Sequence, residues 1–329
     1  MTRAIAESFL KRFLPLFESE SELSIQFYGG EPLQEKQIIL QVLEGASGQP
    51  PRPGFKFVMT SNGAHLDADF LTLIKAHPFD LVISHDGLWQ QETRPGIPAE
   101  MSLDHFEALL APFPGIPVRY TCTCPPGQIH RLTENILHFR AMTPRPVQFG
   151  LDSISPWDET ALSALDRELT RMRERGLTEA CPSFFTPPSP GQFTCKSENR
   201  LTIDPEGYIW GCHEFYDLFQ QHPRCGSLAR HRVGHVDMPR GELQALLAQW
   251  PVCEGYEQRQ FLAGDEACLV CDLFQFCAQC PVNGAYTTHE LRRLPPWVCG
   301  IQRALSRHRR DLGNPKAQFS SPPSSPPTN

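Results

Sequence analysis

Long apolar runs are missing from this chain. No stretch of its 329 residues approaches the ~18 apolar residues a membrane-crossing helix needs. Met1 is followed by Thr-Arg-Ala-Ile-Ala-Glu, a mixed amphipathic start without the apolar centre of a secretory signal. Basic runs and stripes are also missing. With a net charge of -7 and a pI near 5.9, the chain offers no electrostatic footprint for nucleic acid. These absences set the expectations of a cytoplasmic protein with neither membrane nor nucleic acid as partner. Internal repeats are absent too. What is present in quantity is cysteine, with twelve residues. In a reducing compartment such thiols serve as metal ligands or catalytic groups more often than as disulfides.

Up to about residue 176, helical and strand-like patterns alternate. Ile5 to Phe17 is apolar at helical spacing, Leu23 to Tyr28 alternates, and Gln34 to Leu43 returns to helix. Further strands are expected at Phe55–Thr60, Asp80–Ser84, Pro117–Cys122 and Pro146–Leu151, with helices near 67–77, 103–111 and 131–142 between them. Such alternation implies β/α units on a parallel sheet or barrel. A last helix, at about 157–175, reads as capped by Ser155 with Pro156 at its first position, and Gly176 stops it. The boundary of a first domain, 1–180, follows. Residues 181–191 are rich in Pro and Ser and read as a linker, residues 191–305 as a small cysteine-rich domain, and 314–329 as a disordered tail.

The cysteines of the second half carry the most specific spacing. Cys195 and Cys212 bracket Gly207 as C-x11-G-x4-C, Cys268, Cys271, Cys277 and Cys280 form C-x2-C-x5-C-x2-C, and Cys299 follows. Thiolates that converge on one centre from short turns are what iron-sulfur clusters require. A zinc ribbon is the competing reading, but four-coordinate zinc would leave Cys195, Cys212 and Cys299 idle. Pro281 after Cys280 also matches the end of a ferredoxin ligand run. Cys122, Cys124, Cys225 and Cys253 are expected to pack as small apolar residues.

Three strand ends carry polar turns: Tyr28-Gly29-Gly30-Glu31-Pro32, Thr60-Ser61-Asn62-Gly63 and Ser84-His85-Asp86-Gly87. All would lie on one rim of the sheet, at the end where β/α proteins bind ligands. Each alone is ordinary turn chemistry.

In this order, and with Arg94 downstream, the turns resemble the radical S-adenosylmethionine (SAM) fold, a partial (β/α)6 TIM-like barrel. The cysteine array resembles the SPASM extension of peptide-modifying and anaerobic sulfatase-maturing enzymes. The resemblance spans roughly residues 4–305. It implies that Gly29, Gly30, Glu31 and Pro32 form the turn that receives the methionyl amine of SAM, and that Ser84 and Arg94 contact its ribose and carboxylate region. Ser61 and Asn62 fall on the matching turn of the next strand. Cys268, Cys271, Cys277 and Cys299 would hold one four-iron cluster; Cys195, Cys212 and Cys280 would hold another, whose fourth ligand is Cys181, substrate or none. His213, directly after Cys212, stands where sulfatase maturases carry a proton-accepting aspartate. It could act as a base near neutral pH or hydrogen-bond the cluster sulfurs, and the replacement argues against sulfatase maturation.

Two departures qualify the resemblance. The family separates the last two of its central cysteines by three residues, whereas two lie between Cys277 and Cys280. The triplet C-x3-C-x2-C that binds the catalytic cluster on the first strand occurs nowhere in these residues, and Cys122-Thr123-Cys124 cannot replace it. The expectation is a barrel whose first strand is missing, in a protein that as it stands should not cleave SAM. We read it as an N-terminally truncated record of an oxidoreductase or maturase acting on a peptide or protein, with a flavodoxin or ferredoxin as reductant. The alternative is a degenerate, non-catalytic iron-sulfur electron-transfer or peptide-binding protein.

Overall fold

Five parallel strands follow one another in space as they do in sequence. The computed structural model of the chain describes residues 1–17, 22–47, 54–186, 201–221, 231–248, 270–273, 286 and 295–310. After helix α1 (Arg3–Ser8), the strands β1 (Leu23–Phe27), β2 (Phe55–Ser61), β3 (Phe79–Ser84), β4 (Val118–Cys124) and β5 (Val147–Leu151) form one sheet in chain order. The crossovers carry α2 (Lys36–Ser47), α3 (Ala68–Ile74), α4 (Gln90–Thr93), α5 (Leu103–Leu110) and α6 (Leu132–Met142). This is the α/β partial barrel expected, with β4 ending two residues later than its sequence pattern implies.

Period-two alternation gives the sheet two unlike faces. Phe57, Met59, Leu81, Ile83, Tyr120 and Cys122 are fully buried. Register sets Phe57 beside Phe79, Leu81 beside Val118 and Cys122 beside Phe149. Against this face α2 buries Ile39, Val42, Leu43 and Ala46, and α3 buries Phe70, Leu71 and Ile74. Phe27 stacks on Phe57 and Phe79 at 6.2 and 6.3 Å between ring centroids. Each such ring contributes about 2 to 3 kcal/mol by leaving water. On the opposite face Gln26 and Gln148 are exposed, and Thr60, Ser84 and Thr121 are partly so. A parallel sheet normally has both faces covered by apolar packing. Here the polar face leads up to the rim where the three turns sit.

Helix ends depart from the sequence reading in two places. α7 (Glu159–Glu174) is capped by Asp158, whose carboxylate accepts from Ala161 N at 2.8 Å, and not by Ser155. The nitrogens of Ile154 and Ser155 are instead captured by the Asp152 carboxylate at 2.9 and 3.0 Å, closing a turn ahead of the helix. Gly176 (φ 64) stops α7 as expected, with Leu177 N donating to Met172 O. The single helix expected over residues 5–17 is three segments, with a π turn at Phe9–Phe13 and a 3-10 turn at Leu14–Phe17 after α1. Pro15 has no N–H to continue an α-helical ladder.

The expected linker starts later than its composition implies. Cys181 is buried and Pro182–Phe185 forms the short helix α8, which buries Phe184 and Phe185. Residues 187–191 of that linker and the tail at 314–329 lie outside the described residues. Beyond them, β6 (Thr202–Ile203), β7 (Tyr208–Trp210) and β8 (Arg232–His235) form an antiparallel sheet with β7 central. The buried Asp204 closes its first hairpin by accepting from the nitrogens of Glu206 and Tyr208 and from Trp210 Nε1. Helices α9 (His213–Gln221), α10 (Arg240–Ala248) and α11 (Pro296–Arg310) complete this part.

The two parts share packing at both ends of the chain. Phe13 lies in one core with Ile209, Val236 and Leu243, and the Ser8 hydroxyl donates to Asp237 at 2.6 Å. At the other end α11 returns to α7, where Arg307 and His308 meet Asp166 at 2.9 and 3.2 Å and Gly300 lets Leu162 lie against the helix backbone.

Candidate ligand site at the strand ends

The three polar turns converge on one cavity of about 240 Å³, lined by Tyr28, Gly29, Gly30, Thr60, Ser61, Asn62, Ser84, Arg94 and Asp217. Gly29 and Gly30 have φ of 97° and 39°, the left-handed region that disfavours side chains. A Cβ built at either would meet no atom within 4 Å, so both glycines border open space. The backbone there is bare enough for a ligand to lie against it.

Glu31 does something other than expected. Its carboxylate accepts from Leu33 N at 2.9 Å, Ser61 Oγ at 2.7 Å and Asn62 N at 2.8 Å. It thereby ties the β1 turn to the β2 turn and caps the 3-10 turn Pro32–Glu35. Neither Glu31 nor Pro32 lines the cavity. Ser61 both donates to Glu31 and accepts from Gly63 N, so its hydroxyl is committed to the rim.

Arg94 is held from behind. The Asp86 carboxylate, with its side chain 4% exposed, accepts from Arg94 Nε at 2.8 Å, Thr93 Oγ at 2.7 Å and Thr123 N at 3.2 Å. Asp86 N donates to Gln90, and Asn135 donates to the Asp86 carbonyl. Gly87 (φ 64) is required here, since a Cβ would stand 2.1 Å from Asn135 Oδ1. His85 beside it is pushed down to about 4 by burial, so its imidazole is neutral and accepts from Gly87 N. Sequence reasoning treated Asp86 as a turn residue. The structure makes it the anchor that aims Arg94.

The second part of the chain supplies one wall. α9 begins immediately after Cys212 and brings the His213 ring to 4.4 Å from that of Tyr28. His213 contacts Cys212 Sγ at 3.9 Å and pairs with Glu214 at 3.2 Å, while Tyr286 donates to Glu214 at 2.8 Å. Burial alone would lower the His213 pKa, but the Cys212 and Glu214 partners prevail and push it up to about 10.

Of the seven cysteines expected to bind metal, Cys212, Cys271 and Cys299 are described and partly exposed. Cys195, Cys268, Cys277 and Cys280 lie outside the described residues. Among the described residues no three His, Cys, Asp or Glu side chains gather as a metal site. Cys181, named as a possible fourth ligand, is buried in the same core as Cys122 and Cys124, away from the Trp210 cluster that Cys212 borders. Burial pushes its thiol pKa upward, which disfavours the thiolate a metal would bind. Cys122 and Cys124 are packed as small apolar side chains, as expected. Cys225 and Cys253 lie outside the described residues. No described helix is long and apolar enough to cross a membrane.

Comparison with solved structures meets the same architecture. The anaerobic sulfatase-maturating enzyme anSMEcpe, with bound AdoMet and a Cp18Cys peptide, aligns over 94% of this chain and 88% of its own, with TM-score 0.68 and 14% identity. The chain shares the fold of this enzyme. Streptococcus suis SuiB bound to S-adenosylmethionine aligns over 89% of this chain and 70% of its own, with TM-score 0.59 and 16% identity. SuiB bound to the precursor peptide SuiA aligns with TM-score 0.51. No protein-family model and no curated sequence matches the chain.

Proposed function

We propose that this chain is a radical SAM/SPASM-type protein that binds SAM in the rim cavity and acts on a peptide or protein side chain. The observation that carries the reading is the open glycine pair, which shares one cavity with Ser84 and an anchored Arg94. The fold adds support, since the radical SAM neighbours anSMEcpe and SuiB hold AdoMet and peptides. When bound and given one electron by a reductant, SAM would supply the chemistry of hydrogen abstraction. The residues of this chain bind and orient it. Gly29 and Gly30 let their backbone approach the methionyl part, Ser84 offers a hydroxyl to the ribose, and Arg94 offers its guanidinium to the carboxylate. Cys195, Cys212, Cys268, Cys271, Cys277, Cys280 and Cys299 would hold the auxiliary iron-sulfur clusters, with a flavodoxin or ferredoxin as electron source.

Anaerobic incubation with SAM and dithionite, followed by quantification of 5′-deoxyadenosine, tests the enzymatic reading. Its formation establishes an enzyme. SAM binding without it, measured on the protein isolated from its own cells, favours the second reading, a non-catalytic iron-sulfur electron-transfer or peptide-binding protein, with which the absence of a C-x3-C-x2-C run from these residues also accords. Iron and acid-labile sulfide in the purified protein, with a brown colour that bleaches in air, is the expected cofactor result. A colourless protein containing zinc would overturn the cluster assignment.

A further inference from the structure

Asp217 lines the cavity although it lies in none of the three rim turns read from the sequence. It sits four residues after His213, so the two share a face of α9. The other side of the helix buries Phe215 and Leu218 against Trp210, which fixes the face presented to the rim. The remaining charges around the cavity are already matched. Arg94 is paired with Asp86 at 2.8 Å and His213 with Glu214 at 3.2 Å, while Glu31 is committed to the two rim turns. Among the described residues no donor hydrogen-bonds the Asp217 carboxylate, although it is partly buried. Burial raises its pKa, Glu214 adds to the effect and His213 opposes it. A carboxylate so placed gains most from an incoming cation.

We propose that Asp217 is a specificity-determining residue of this cavity, whose carboxylate receives a positive charge of bound SAM, its ammonium or its sulfonium, while Arg94 faces the SAM carboxylate. The proposal rests on the reading of the cavity as a SAM site. It gives the pocket an anionic pole that comes from the second part of the chain, opposite a cationic pole from the first.

The test is isothermal titration of the anaerobically purified full chain with SAM, S-adenosylhomocysteine and 5′-methylthioadenosine, for wild type, Asp217→Asn and Asp217→Glu, with thermal midpoints as a folding control. Asp217→Asn is expected to weaken SAM about tenfold, as loss of a charged hydrogen bond does. Asp217→Glu is expected to restore most of that affinity. Methylthioadenosine, which carries neither cation, should bind all three proteins alike. An equal loss for S-adenosylhomocysteine assigns the contact to the ammonium; a loss confined to SAM assigns it to the sulfonium. Unchanged SAM affinity in Asp217→Asn overturns the proposal and leaves the SAM site standing. Parallel loss of methylthioadenosine also overturns it, because the variant has then damaged the pocket and not its charge. Wild-type protein that binds no SAM overturns the site reading and this proposal together.

Discussion

Asp86 and the glycine pair show how single residues determine what the rim can hold. Asp86→Asn keeps the side-chain shape but removes the charge that anchors Arg94, leaving a guanidinium without its nearly buried partner. We expect a loss of about 2 kcal/mol in a urea denaturation series, together with weaker SAM binding. Arg94→Lys should retain most of the stability and still lose affinity, because an ammonium cannot reproduce the directed Nε contact. Gly30→Ala is expected to behave in the opposite sense. Its Cβ meets no protein atom, so the cost is limited to about 1 kcal/mol of backbone strain, yet the methyl enters the space a ligand needs. Calorimetric titration showing undiminished SAM affinity in that variant would place the ligand elsewhere.

At the scale of the elements, caps and docking contacts give separable predictions. Asp158→Ala should cost about 1 kcal/mol by uncapping α7, while Ser155→Ala should cost little, as measured by denaturant midpoints. The Asp166 contact governs how α11 is held. Burial raises the Asp166 pKa, but hydrogen bonds from Arg307 and His308 prevail and hold it below the usual carboxylate range. A carboxyl depressed in the folded state contributes stability above its unfolded pKa and loses it as pH falls through the folded value. Asp166→Asn should therefore abolish an acid-side loss of about 0.5 kcal/mol, a small amount because the pair is exposed. Strands were the most legible elements, because β-branched and aromatic residues alternate within short bounded runs. The α7 start was misread because Ser155-Pro156 is a good cap signal in isolation; only the structure reveals that Asp152 closes a turn over Ile154 and Ser155 and that Asp158 caps the helix instead. Asp217 carried no local signal at all. Its relevance arises from α9 lying against a turn far upstream, a relation that no spacing within the sequence encodes.

For the whole molecule, the sequence identified the sheet and the three rim turns, since each strand and each turn is a short contiguous pattern. It did not reveal that the N-terminal segment and α11 would bind the two parts into a shared core, because Phe13, Leu162 and Asp166 look like ordinary amphipathic helix residues. Phe13→Ala is expected to cost about 3 kcal/mol and to broaden or split the thermal transition as β6, β7 and β8 loosen from the first sheet. A single sharp transition at nearly the wild-type midpoint would show that the interlock is weak.

This shared core bears on how the protein can be produced. A fragment beginning at residue 201 would leave Ile209, Val236 and Leu243 without Phe13, and one ending at residue 186 would leave Leu162 and Asp166 without α11. Insolubility of either piece would follow from these uncovered faces and would say nothing against the cysteine-rich part as a functional unit. Co-expression of the two pieces, with reassembly tested by co-purification, would probe that shared core directly.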